Sequence, residues 1–156
     1  MPATETEAGT GEIWRLSAAE TAAAIRAGRF TALAATEAAL ARMEAVNPAL
    51  NAVVESLAEE ARARARALDA RAPVGPLHGV PVTIKVNVDQ TGHATTNGVA
   101  AYRDMIAPDD APVVANLLKA GAVPIGRTNT PEFSFRADTD NPMYGRTRNP
   151  WGDHVS

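Results

Sequence analysis

The spacing of apolar positions changes several times along the chain, and each change marks an element. Ser17-Ala18-Ala19-Glu20 forms a capping box, in which a serine oxygen and a glutamate carboxylate each satisfy amide groups at a helix start, and Gly28 supplies a stop. The pattern predicts a first helix from about Ala18 to Ala27. Thr31 caps a second, in which Leu33, Leu40, Met43 and Val46 recur at helical spacing until Asn47-Pro48 ends it. Residues 51–55 are few and valine-bearing and read as a strand. Ser56-Leu57-Ala58-Glu59 repeats the capping-box logic and opens a third helix through Glu60, Arg62, Arg64, Arg66 and Asp69. Its arginines read as a solvated face with a Glu60 to Arg64 pair one turn apart.

From Pro73 the texture changes. Pro73, Gly75, Pro76, Gly79 and Pro81 punctuate a loop, and residues 82–89 then alternate without error. A strand of that pattern puts Val82, Ile84, Val86 and Val88 on one face and Thr83, Lys85, Asn87 and Asp89 on the other. Residues 90–98 are polar and read as a surface or site loop. Asp109-Asp110 is placed to cap a fourth helix with Pro112 in its first turn, Val113, Val114, Leu117 and Leu118 inside and Gly121 after its end. A short apolar strand, residues 123–125, follows. Strand, helix-bearing connection and strand imply a crossover, hence an α/β fold whose sheet has a parallel portion covered by helices. Thr130-Pro131-Glu132 has the composition of a helix cap.

Composition then removes whole classes of function. The 156 residues are 46% hydrophobic, enough for a core, and the formal charge of −3 without a basic cluster argues against nucleic acid as the main partner. There is no cysteine, which excludes thiolate metal sites and fits a reducing, cytoplasmic setting. No apolar run reaches membrane-spanning length. Neither a dinucleotide glycine loop nor a P-loop occurs, and His78, His93 and His154 are too scattered for a metal site. Ser17 and Ser56 read as caps, and Ser134 lacks the context of a nucleophile elbow. Only two of the fifteen basic residues are lysines, and one of them, Lys85, stands in the alternating strand beside its apolar face. Burial lowers a lysine's pKa and can make it a base; the competing reading is a strand-end lysine that reaches to water.

Four segments together carry a resemblance. Gly75-Pro76-Leu77-His78-Gly79-Val80-Pro81-Val82-Thr83-Ile84-Lys85 is the first and Thr95-Thr96-Asn97-Gly98 the second. Ala120-Gly121-Ala122-Val123-Pro124-Ile125-Gly126-Arg127-Thr128-Asn129-Thr130-Pro131-Glu132-Phe133 and Asn141-Pro142-Met143-Tyr144-Gly145-Arg146-Thr147-Arg148-Asn149-Pro150-Trp151 complete the set. In this order they resemble the amidase signature enzymes, over about Leu16 to Ser156, the helical residues 16–70 more loosely. The resemblance implies the N-terminal portion of that fold, a mixed sheet covered by helices. A tail over residues 1–12, a helical region over 13–72 and the first, incomplete part of the α/β core over 73–156 are expected. It implies a hydrolase of carboxylic amides that uses a serine, a second serine in a cis peptide and a lysine, with Lys85 at the lysine position. No cofactor is called for. Thr83, Asn87 and Asp89 would support the lysine from its own strand, and Thr96, Asn97, Gly98, Thr128, Asn129 and Thr130 would line or brace the site.

Two departures from the family pattern stand out. Val86 follows the lysine where an acidic residue is usual, and Arg127 replaces a commoner lysine before Thr128-Asn129. The chain also reaches Ser156 before the glycine- and serine-rich segment that carries the family's serines. The expectation is a small-molecule amidase whose remaining C-terminal part is a separate or missing chain, poorly soluble or partly molten by itself, with homodimerisation left open. The alternatives are an amidotransferase subunit of the same family and a non-catalytic fragment or interaction module.

Overall fold

Ser17 caps the first α-helix as its sequence predicts. The structure, a computed structural model, describes residues 10–152; part of the expected tail, His154 and Ser156 lie outside them. A 3-10 turn over Thr10–Arg15 leads into helix α1, Ala18–Arg26. The Glu20 N–H donates to Ser17 Oγ at 3.3 Å, and the Ser17 N–H donates to Glu20 Oε2 at 2.8 Å. Helix α2, Ala32–Leu50, begins with Thr31 Oγ1 accepting from the Ala34 N–H at 3.0 Å. It runs past the predicted stop at Asn47-Pro48. Pro48 sits in the last turn, where a missing N–H forfeits a single helical bond. The exit is made instead by Asn51 in the left-handed region (φ 53°) and by the Asn47 side chain, whose Oδ1 accepts from the N–H groups of Ala52 and Val53.

Strand β1 is Val53–Ser56 and helix α3 is Ala58–Asp69. The second capping box does not form. Ser56 is consumed by pairing with Gly126 in the sheet, so the residue before α3 is Leu57, which is buried and offers no side-chain cap. The α3 arginine row is a solvated face only in part, for Arg66 is exposed while Arg62 and Arg64 are engaged. Arg62 forks onto Glu37 of α2, with Nε to Oε1 at 2.9 Å and Nη2 to Oε2 at 3.1 Å, while Arg64 donates to the carbonyls of Ala122 and Leu118, each at 2.7 Å. Glu60 turns to His93 instead of Arg64.

Strand β2 is Pro81–Lys85, helix α4 is Pro112–Lys119 and strand β3 is Val123–Thr128. Pro112 occupies the first turn of α4, but Ala111 precedes it and Asp110 Oδ1 accepts from the Thr91 N–H at 2.7 Å, so the predicted acidic cap acts as a tie between loops. Thr130 likewise heads only a 3-10 turn, Glu132–Ser134, without capping it. The sheet has the order β1-β3-β2, with β1 antiparallel and β2 parallel to β3, the mixed sheet that the resemblance implies. Ala32 and Leu40 of α2, Ala61, Ala65 and Leu68 of α3 and Val123 and Ile125 of β3 form one buried cluster. Small residues on both helices let them pack closely on the central strand, so the sheet's parallel pair is backed by a rigid layer. Among the described residues no helix is long and apolar enough to cross a membrane.

The predicted eight-residue strand ends early at Lys85 and begins one residue sooner, at Pro81. The Val88 N–H turns back to the Lys85 carbonyl at 3.0 Å, and the Arg127 guanidinium takes the Val88 carbonyl at 2.9 Å, so the alternating residues after Lys85 are spent on a turn. Asn87 and Asp89 therefore leave the strand face of Lys85, while Thr83, which is exposed, remains on it.

Candidate active site

Lys85 ends β2 directly opposite Thr128, which ends β3. Both parallel strands point their C-terminal ends the same way, and the loops that leave them bound the crevice where open α/β sheets bind ligands. Ile84 and Val86, on either side of the lysine, are 4% and 0% exposed, and Lys85 itself is half-buried. Among the described residues its ammonium has no hydrogen-bond or ion-pair partner, although the two neighbouring positions fix its backbone through the Val86 N–H to the Thr128 carbonyl at 3.0 Å.

The four segments of the resemblance meet here. Residues 75–80 lie along the turn after α4, with the Leu77 N–H on the Ala120 carbonyl and the Gly79 N–H on the Gly121 carbonyl, both at 2.9 Å. Gly121 is at φ +92°, and a Cβ on it would stand 2.7 Å from His78 Cα, so the approach admits only glycine. Beyond the strands, the Asn97 N–H reaches the Val86 carbonyl at 3.3 Å and the Phe133 N–H reaches the Asn97 carbonyl at 3.0 Å. Gly98, at φ +72°, packs so closely that a Cβ would meet the Thr130 carbonyl at 2.9 Å. Tyr144 donates its hydroxyl to Thr96 Oγ1 at 3.2 Å. Asn87 Nδ2 donates to Ser134 Oγ at 3.1 Å, and Ser134 Oγ lies 2.9 Å from Thr130 Oγ1.

Asn141 ties the last segment down. Its Nδ2 donates to Asn129 Oδ1 and to the Thr130 carbonyl, both at 2.8 Å, and its Oδ1 accepts from the N–H groups of Met143 and Tyr144. Asn129 Nδ2 in turn holds the Gly145 carbonyl at 3.0 Å and Thr147 Oγ1 at 3.1 Å. Of the residues expected at the site, Lys85, Thr96, Asn97, Gly98, Thr128, Asn129 and Thr130 thus converge at one end of the sheet. Asn87 joins them through Ser134. Asp89 does not; its Oδ1 accepts from Thr95 Oγ1 and serves the loop's own shape. Thr83 faces solvent.

Asn141 and Arg127 were not expected to organise the site. An asparagine before Pro142 whose oxygen can serve the amides two and three residues on is an Asx-turn signal, legible in principle. Arg127 breaks the apolar run of β3 and is 0% exposed, with Nη1 on the Ala94 carbonyl at 2.8 Å, Nη2 on the Val88 carbonyl and Glu55 Oε2 3.8 Å from Nη1. Burial pushes its pKa below the ordinary value, opposed by the charges of Glu55, Tyr144 and Asp89. The fully buried Val86 and Arg127 are departures noted in the sequence, and the charge at Arg127 is met by two carbonyls and Glu55.

Three aromatic side chains pack on one another, with Phe133 at the centre. Phe133 and Ser134 are both left-handed (φ 51° and 59°), and Phe133 meets Tyr102 edge to face with centroids 5.9 Å apart. Phe133 is 46% and Phe135 86% exposed. An aromatic residue held in that strained region points to a local requirement stronger than the strain.

Comparison with known proteins bears directly on this arrangement. The amidase family model matches residues 34–156. The chain is 56% identical over 150 residues to an indoleacetamide hydrolase of Bradyrhizobium diazoefficiens, covering 94% of this chain and 29% of that protein. It is 40% identical over 142 residues to a component of the glutamyl-tRNA(Gln) amidotransferase of Oleidesulfovibrio alaskensis, covering 90% of this chain and 29% of that one. Among solved structures, a bacterial aryl acylamidase of the amidase signature family superposes with a TM-score of 0.84 at 32% identity, covering 90% of this chain and 30% of that one. The chain spans less than a third of the length of the relatives it matches, and with the family model matching residues 34–156 and the fold shared over that span, it belongs to the amidase signature family.

Proposed function

We propose that the crevice is the lysine half of an amide-hydrolysing site of the Ser-cisSer-Lys type, acting on small carboxylic amides. The observation that carries this reading is the placement of Lys85, half-buried at the C-terminal end of β2 with the loops of residues 96–98 and 128–130 around it. The serines come from polypeptide outside these 156 residues. In the complete enzyme the Lys85 amine takes the proton of a serine hydroxyl as that oxygen attacks the amide carbonyl. The proton then passes to the departing nitrogen as the carbon–nitrogen bond breaks. Water next attacks the acyl-serine, giving the carboxylic acid and the free serine. Amide and water thus become acid and amine or ammonia, with no cofactor.

The substrate class we favour is an amide with an aromatic acyl part. Tyr102 and Phe135 pack on Phe133, whose N–H bonds the Asn97 carbonyl of the crevice loop, and the indoleacetamide hydrolase is 56% identical over nearly the whole chain. The cytoplasmic setting suggested by the absence of cysteine is part of the same proposal. The similarity to amidotransferase components favours a second reading, in which the released ammonia is delivered within an assembly. Ammonia release from an arylacetamide by the complete protein without other subunits decides between them: steady turnover supports the hydrolase, and release only with partner subunits supports the second reading.

A further inference from the structure

His93 lies three residues before Thr96 in the loop that follows β2, and its ring is not idle. Nδ1 is 2.7 Å from Glu55 Oε1 on β1, and Nε2 is 3.2 Å from Glu60 Oε2 on α3. The imidazole is 12% exposed, Glu55 37% and Glu60 64%. A carboxylate oxygen only accepts, so the ring makes both bonds at once only as the imidazolium. Backbone bonds tie the loop to itself, to Val86 and Phe133 through Asn97, and to residues 105–107 through the Ala107 N–H to the His93 carbonyl and the Thr95 N–H to the Met105 carbonyl, both at 2.9 Å, and Tyr144 holds Thr96. Among the described residues, the hydrogen bonds from this loop to β1 and α3 are those of the His93 ring, and Arg127 of β3 holds it at the Ala94 carbonyl.

The other charges around the ring are countable. Arg127 of β3 approaches Glu55 at 3.8 Å and holds the Ala94 carbonyl, so Glu55 joins Arg127 and His93 under the same loop. Arg64 of α3 and Asp110 ahead of α4 line, with His93 and Glu60, a half-open recess of about 260 Å³. Arg64 is already bonded to two carbonyls and Asp110 to the Thr91 N–H, so neither replaces a lost His93 proton.

We propose that His93 is a positioning residue: its imidazolium, clasped between Glu55 and Glu60, seats the loop that presents Thr96, Asn97 and Gly98 to the crevice, and loss of a ring proton loosens that loop. With one proton gone, a nitrogen lone pair faces a carboxylate and one contact becomes repulsive. The latch itself stands on geometry alone; its effect on turnover rests on the amidase reading of the crevice.

Hydrogen exchange followed by mass spectrometry on the peptide spanning residues 90–99 of the complete protein tests the latch without any turnover assay. Exchange is corrected for its intrinsic pH dependence, and the His93 ring is titrated by NMR in the same buffers. The expected result is exchange about tenfold faster once the ring has lost its proton, the scale of a charge-assisted bond. In His93→Gln the fast exchange should hold at every pH. In Glu60→Gln, which alters a mostly exposed side chain, the new amide can donate to the ring's lone pair, so protection should persist through the His93 titration. Exchange indifferent to the His93 proton in the unmodified protein, or a pH response in Glu60→Gln equal to that of the unmodified protein, overturns the proposal.

Discussion

The helical layer and the crevice loops of this molecule are held by different physics. Around Leu40, Ala61, Ala65, Leu68, Val123 and Ile125, stability comes from apolar surface removed from water and from close packing of small side chains. Around Thr96, Asn129, Thr130 and Asn141, it comes from side-chain groups that each serve two or more backbone or side-chain partners. A packed layer loses stability in proportion to what is removed from it. A polar network loses shape when a single member leaves, because the abandoned partners are buried and have nowhere else to bond. The layer therefore governs whether the chain folds, and the network governs where Lys85 and the loops stand.

The largest effect should come from Lys85→Ala, which removes the proposed base. In the complete enzyme, kcat/KM is expected to fall by about 10²–10⁴-fold with little change in melting temperature. Next comes Arg127→Met. It strands the carbonyls of Val88 and Ala94 and takes the nearby charge from Glu55, and chemical denaturation should show a loss of about 3–5 kcal/mol. Leu40→Ala should lower stability by about 2–4 kcal/mol while leaving exchange of the crevice amides unchanged below the unfolding transition. Asn141→Ala should lower it by only about 1–3 kcal/mol yet raise exchange locally in residues 129–145, the reverse signature. If Leu40→Ala loosened the crevice and Asn141→Ala did not, the distinction between layer and network would collapse.

The smallest effect is electrostatic and lies at the surface. The Arg62 guanidinium bonds the Glu37 carboxylate and holds its pKa below the ordinary 4.5. A carboxyl whose folded pKa is lowered binds fewer protons folded than unfolded, so its contribution is full above about pH 4.5 and fades as pH falls through the folded value. A Glu37→Gln melting curve should match the unmodified protein in strong acid and fall slightly below it near neutrality.

Much of this was legible in the sequence, for reasons that also explain the errors. The Ser17 capping box and the Thr31 cap are local, so local pattern gives them correctly. The parallel pairing of β2 with β3 follows from a strand, a helix-bearing connection and a strand, and the convergence of Lys85 with residues 96–98 and 128–130 was implied by four segments in one register. What failed were positions where tertiary structure claimed a residue for another use. Ser56 went into the sheet, Asp110 to the Thr91 amide, and residues 86–89 into a turn pinned by Arg127. Their local patterns are as good as those that succeeded, and nothing within a few residues announces the competitor.

The central claim is that Lys85 is the proton carrier of an amide-cleaving crevice. The most direct test is chemical rescue: ammonia release from an arylacetamide by the complete protein carrying Lys85→Ala, measured with increasing concentrations of a small alkylamine. The account predicts turnover that is nearly absent without the amine and climbs in proportion to it, because a free base can enter the space the lysine side chain leaves. Turnover close to that of the unmodified protein with no amine present would contradict it.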